Sequence, residues 1–168
     1  MASRKAKAMN DVGWRIHVGN YEKWMTMLMP EASSIGLWRV NSTDATQPYG
    51  RFARGFQHST QRDQFSFSVD PAIFSNLTLR VVYLDIARNS SWSAAFRHAN
   101  GTMVTAMHVT TSGTGRYVTA EAALLGAAFG SDMTTIDLSI KNEDDVDDIF
   151  AFVEIARNSR ESRLNDSR

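Results

Sequence analysis

Apolar and polar side chains alternate with period two through most of this chain. Trp14, Ile16 and Val18 alternate with Arg15 and His17, and Phe65, Phe67 and Val69 with Ser66 and Ser68. Ile136, Leu138 and Ile140 alternate with Asp137, Ser139 and Lys141. Side chains at i and i+2 share a face of a strand, so each run offers one face to a core and one to water. Between 35 and 40 both faces carry large groups, with Ile35, Leu37 and Arg39 on one and Trp38 and Val40 on the other. Two further segments, 77–87 and 149–155, are apolar on both faces. Leu77, Leu79, Val81 and Tyr83 oppose Val82, Leu84 and Ile86 in the first; the second reads Ile-Phe-Ala-Phe-Val-Glu-Ile. A strand apolar on both faces is central and covered twice, or carries a bulge that switches its faces. These two are predicted as the central strands.

The punctuation predicts antiparallel connections. Turn clusters fall at Arg88-Asn89-Ser90-Ser91, Asn100-Gly101 and Ser112-Gly113-Thr114-Gly115, near the spacing of a β-sandwich. Asn100-Gly101 between 92–97 and 103–109 is the strongest hairpin signal. Two places have helical character. Asn20 can cap a short turn with Tyr21, Trp24, Met25 and Leu28 on one face, ended by Pro30. Residues 120–125 have high helix propensity, yet Val118, Ala120, Ala122 and Leu124 alternate, which predicts a strand followed by a turn at Gly126. The pattern gives an all-β chain: one antiparallel β-sandwich over 12–157, a mobile polar lead at 1–11 and a mobile tail at 158–168.

Composition narrows the function. With 168 residues and 43% hydrophobic side chains the chain can build one full core. Acidic and basic residues number 18 each, so no net field draws nucleic acid or an anionic membrane. Fourteen of the bases are Arg, whose planar fork suits carboxylates, sulfates or phosphates, although genomic base composition explains the bias equally well. Without cysteine there is no disulfide, thiolate metal site or thiol nucleophile. No apolar run reaches the roughly 18 residues of a membrane span, and no apolar signal core follows the basic start. Read as complete, the chain starts in the cytoplasm; read as a piece of a longer secreted protein, it is extracellular or at the cell surface. Asn-x-Ser/Thr sequons at Asn41, Asn76, Asn89, Asn100 and Asn165 are taken as loop markers.

Two constellations carry candidate chemistry. Residues 143–148 read Glu-Asp-Asp-Val-Asp-Asp, and Asp144, Asp145, Asp147 and Asp148 supply the hard oxygens a structural Ca²⁺ takes. The order of an EF-hand loop is missing, and a solvated turn explains the run more simply. The second set is aromatic and Arg-rich: Trp38, Arg39, Tyr49, Arg51, Phe52 and Arg54, with Trp92 and Arg97 downstream. Sugar rings stack C–H faces on aromatic planes and Arg satisfies their hydroxyls, so this set points to a polysaccharide or glycan partner. For each Trp taken alone, burial in the core is the commoner fate. Nucleophile elbow, P-loop, dinucleotide fingerprint and His-Glu-x-x-His are all missing, and the four histidines lack ligand spacing. His98 and His108 flank the predicted hairpin and could meet across it.

The phrases Ser34-Ile35-Gly36-Leu37-Trp38-Arg39-Val40, Gln47-Pro48-Tyr49-Gly50-Arg51-Phe52 and Leu79-Arg80-Val81-Val82-Tyr83-Leu84-Asp85 resemble accessory β-sandwich domains of bacterial polysaccharide-active proteins. The resemblance continues through Ser91-Trp92-Ser93, Thr114-Gly115-Arg116-Tyr117 and Asp145-Val146-Asp147-Asp148, and so covers about 13–156. It implies a jelly roll of the galactose-binding-like kind, non-catalytic and carbohydrate-binding. The chain departs from that pattern after Asp85, where Ile86-Ala87-Arg88-Asn89-Ser90 replaces a Gly-rich turn. Three functions follow: a carbohydrate-binding or lectin-like module; a self-associating homo-oligomeric assembly protein, for which zero net charge removes repulsion; and a small lyase or hydrolase using a pair such as Tyr83 with His98.

Overall fold

The computed structural model describes residues 14–17, 21–23, 25–29, 32, 38–40, 51–70, 73–130, 132 and 134–157; 14–17, 21–23, 38–40, 51–52 and 73–75 are described through their backbone. The predicted lead, the tail, Pro30, Tyr49 and the sequons Asn41 and Asn165 lie outside these residues. Twelve strands are present among them: β1 (Trp14–His17), β2 (Tyr21–Lys23), β3 (Met25–Leu28), β4 (Trp38–Val40), β5 (Arg51–Gly55) and β6 (Gln64–Val69). They continue with β7 (Ile73–Leu84), β8 (Arg88–Arg97), β9 (Met103–Ser112), β10 (Tyr117–Phe129), β11 (Leu138–Asn142) and β12 (Ile149–Arg157). No helix among the described residues is long and apolar enough to cross a membrane.

All pairing is antiparallel, in two sheets. One runs β10-β7-β12-β1-β2, with the β4–β5 ribbon joined to β12; the other runs β3-β6-β11-β8-β9. From β6 onward each connection crosses between the sheets except the β8–β9 hairpin. With β1 beside β12, this is the chain path of a jelly roll. The two double-faced segments are neighbours at the centre of the first sheet. β12 pairs with β7 from Ile149↔Leu84 to Arg157↔Leu77, with an extra residue between Phe150 and Phe152. That bulge lets Phe150 and Val153 both reach the core despite their odd spacing.

The core lies between the sheets and is aromatic. Phe150 meets Phe56, Phe65 and Trp92 with ring centroids 5.1, 5.3 and 5.2 Å apart, and Trp92 meets Tyr83 at 5.3 Å. Edge-to-face pairs of this kind add to plain area burial.

Several local expectations change. The segment predicted as a capped helical turn is instead β2 and β3. Met25 and Met27 pair with Val69 and Phe67 and pack on the core, so sheet pairing overrides a segment too short to hold a helix alone. Residues 88–91 form the start of β8 rather than a turn, with Asn89 at φ 62 where β8 slips against β9. Asn76 lies in β7, not in a loop. Ser66 and Ser68 are buried although they face away from the core. At the other end of the alternation, Asp137 is buried and Ile136 is only half-buried. Burial raises the Asp137 carboxyl above the ordinary range, while the Val69 and Gly130 N–H groups it accepts oppose that rise. The Asn-Gly hairpin forms as expected: Gly101, at φ +85, donates its N–H to the His98 carbonyl at 2.8 Å.

Candidate functional site

The aromatic and arginine set divides. β4 pairs with β5 as Trp38↔Ala53, Arg39↔Phe52 and Val40↔Arg51, and β5 joins β12 as Phe150↔Arg54. One ribbon therefore carries Trp38, Arg39, Arg51 and Arg54 on its backbone. Arg54 is half-buried, and burial lowers its guanidinium pKa. Trp92 goes elsewhere: it is 0% exposed, sealed among Tyr83 and Phe150, and offers no face to a ligand. The reason lies in β8, whose inward positions are Trp92, Ala94 and Phe96. Arg97 is engaged by backbone carbonyls. Its Nε and Nη2 donate to the Ile136 carbonyl at 3.0 and 2.7 Å, and Nη1 donates to the Gly101 carbonyl at 3.1 Å. That fork braces the hairpin against the segment before β11 and leaves the side chain 25% exposed.

The acidic run forms the turn between β11 and β12, and its carboxylates accept protein hydrogens. Asp144 accepts the Ser91 and Val146 N–H groups at 2.6 and 2.9 Å, and Asp147 accepts the His58 N–H at 2.7 Å. Glu143 accepts the Ser93 hydroxyl, and Asp145 is exposed. Asp148 is 3% exposed and accepts the Ser90 hydroxyl at 2.8 Å. Among the described residues no three His, Asp or Glu side chains gather where they could hold a metal ion. Burial pushes the Asp148 carboxyl up to about 6; the Ser90 hydroxyl opposes this, and Asp144, Asp85 and Asp147 reinforce it. Asp85, nearby, behaves oppositely. Burial acts to raise it, but the Thr114 hydroxyl and the N–H groups of Thr114, Gly113 and Ser112 outweigh burial and hold it below the ordinary range. Those four bonds, 2.6 to 3.0 Å long, fix the loop from β9 to β10.

The pair invoked for a lyase does not meet. Tyr83 lies opposite Val118 on β10 and His98 bridges Ala127 on the same strand. Nine residues of strand separate the two by roughly 30 Å. His108 pairs with Ser93 and so does not face His98 across the hairpin.

One concavity lies where β9 and β10, each an edge strand of its sheet among the described residues, come together. This groove, of about 380 Å³, has Phe96 beneath it, Val104 and Ala106 on β9, and Ala123 and Leu125 on β10. His98, Asn100 and Thr105 supply its polar groups. Leu125 is 62% exposed and Val104 37%, with Met103 beside them at 40%. Two irregularities shape the groove. Ala106 is an extra residue on β9, since Ala94 pairs with Met107 and Ala95 with Thr105. On β10 the register slips between Leu124 and Ala127, and Gly126 sits at φ +71 with its N–H donated to Asn76 Oδ1 at 3.0 Å. Gly126 is thus a bulge inside a long strand, where a turn was expected. A Cβ there would lie 2.6 Å from His98 Nε2, so the ring rests directly on glycine backbone. Nδ1 accepts the Asn100 N–H at 3.2 Å, which in the neutral ring leaves the hydrogen on Nε2.

Sequence reasoning missed this groove because its walls come from two strands some twenty positions apart. One signal was present. Leu124-Leu125 in a strand puts one leucine on each face, and only Leu124 is buried.

No family model matches the chain, and no curated protein matches it. Among solved structures it is similar to a carbohydrate-binding module of family 29 at 13% identity, over 86% of this chain and 97% of that one, with a TM-score of 0.45. It is similar to an exo-β-agarase at 11% identity over 86% of this chain, TM-score 0.48, and to a peptidoglycan O-acetylesterase at 12% identity over 91%, TM-score 0.48. The chain spans 25% of the agarase and 37% of the esterase.

Proposed function

We propose that this sandwich is a non-catalytic carbohydrate-binding module. The observation that carries the reading is the groove between β9 and β10, with apolar walls beside a small number of polar groups. A sugar ring is amphipathic in the same way, with C–H faces and a rim of hydroxyls. A concavity of a few hundred Å³ suits a ring or two. Affinity electrophoresis through gels containing single polysaccharides tests the reading. Retardation of the wild-type chain by at least one glycan, relieved by Leu125→Ala, is expected; unretarded migration across the panel refutes it.

The exposure of Met103, Val104 and Leu125 beside two edge strands favours one other reading, self-association. Light scattering at micromolar concentration separates the two: a monomer that still binds glycan removes assembly from consideration.

A further inference from the structure

We infer that the groove selects a neutral sugar unit over uronate, sulfated or phosphorylated ones, a step that rests on the carbohydrate reading above. None of its lining side chains is Asp, Glu, Lys or Arg. The charges nearest in sequence are engaged elsewhere. Arg97 is held by the Ile136 and Gly101 carbonyls, with Asp137 Oδ1 3.9 Å from its Nε. Glu121, on the same face of β10 as Ala123 and Leu125, is paired with Arg80 at 2.6 Å. An anionic sugar entering the groove would lose hydration and meet no Lys or Arg side chain to offset that loss, a penalty a neutral ring does not face.

The neutral ring also finds matching surfaces. Its C–H face covers Leu125 and Val104, which are now in water. Its hydroxyls meet Thr105 Oγ1 and Asn100 Nδ2, neither of which makes a hydrogen bond to the described residues, since Asn100 engages the Thr102 N–H and hydroxyl through Oδ1 alone.

The test is isothermal titration of the full chain with neutral probes (cello-, manno- and galacto-oligosaccharides) and acidic probes (oligogalacturonate, oligoalginate and a sulfated galactan). The expected result is binding to at least one neutral probe, at least tenfold weaker binding of its charged counterpart, and loss of fivefold or more in Leu125→Ala. Leu125→Arg should weaken the neutral ligand and strengthen the acidic one. Because both substitutions sit at an exposed position, an unchanged Tm certifies the fold. A preference for acidic probes in the wild type, or neutral binding untouched in both variants, overturns the inference while leaving carbohydrate binding standing. Silence from every probe removes both.

Discussion

Asp148 is a buried carboxyl whose charge the fold resists, and replacing it by Asn turns that into a measurable gain. The side chain is 3% exposed, its one donor in hydrogen-bond range among the described residues is the Ser90 hydroxyl, and Asp144 Oδ1 stands 3.4 Å from the same hydroxyl. Its pKa of about 6 compares with 3.8 for an ordinary aspartate. A folded pKa above the unfolded one means the native state holds a proton the unfolded chain has released. Stability from this group is therefore complete below about pH 4 and declines as pH rises to about 6. A gap of about two pH units, at about 1.4 kcal/mol each, makes that loss on the order of 3 kcal/mol. Asn keeps an acceptor for Ser90 and carries no charge. In urea denaturation the Asp148→Asn variant should match the wild type at pH 4 and exceed it by about 2–3 kcal/mol at pH 7.5. The difference between the two proteins is the quantity to follow, because the lowered Asp85 contributes with the opposite sign, losing stability as pH falls. A variant less stable than wild type by the same amount at every pH would show that Asp148 is a well-compensated anion and refute the reasoning.

Gly126→Ala should cost about 1–3 kcal/mol through its positive φ and the displaced His98 ring, and should open the groove; a wild-type urea midpoint with intact glycan affinity would contradict this. Trp92→Ala should lower stability by about 3–5 kcal/mol, as expected of an aromatic at the centre of a packed core. A loss under 1 kcal/mol would mean the indole is not enclosed. The carboxylates of Asp144, Asp147 and Asp148 already accept protein hydrogens and Asp145 stands apart in solvent, so millimolar Ca²⁺ should leave Tm unchanged. A rise that a chelator reverses would establish the calcium site instead.

Period two in the sequence located β6, β11 and β10 as far as Gly126. Apolar character on both faces located β7 and β12, although β7 ends at Leu84 and leaves Ile86 outside it, 48% exposed. It identified the central pair because a strand buried on both faces has no polar alternation to hide behind. It failed where pairing acts at a distance. Met25 and Leu28 sit at helical spacing, and only their partners Val69 and Ser66 on β6 make that segment a strand. Trp92 illustrates the limit for function: an aromatic flanked by serines reads alike whether it lines a ligand or fills a core. The register of β8 against β11, with Trp92 opposite Asn142, resolves it. The groove was hidden for the same reason, being made by two sheet edges rather than by a motif.

Amide chemical-shift mapping with a neutral oligosaccharide tests carbohydrate binding at the β9–β10 edge most directly. Saturable shifts confined to residues 98–106 and 123–127 are predicted. Shifts centred on the β4–β5 ribbon, or none at millimolar sugar, would contradict it.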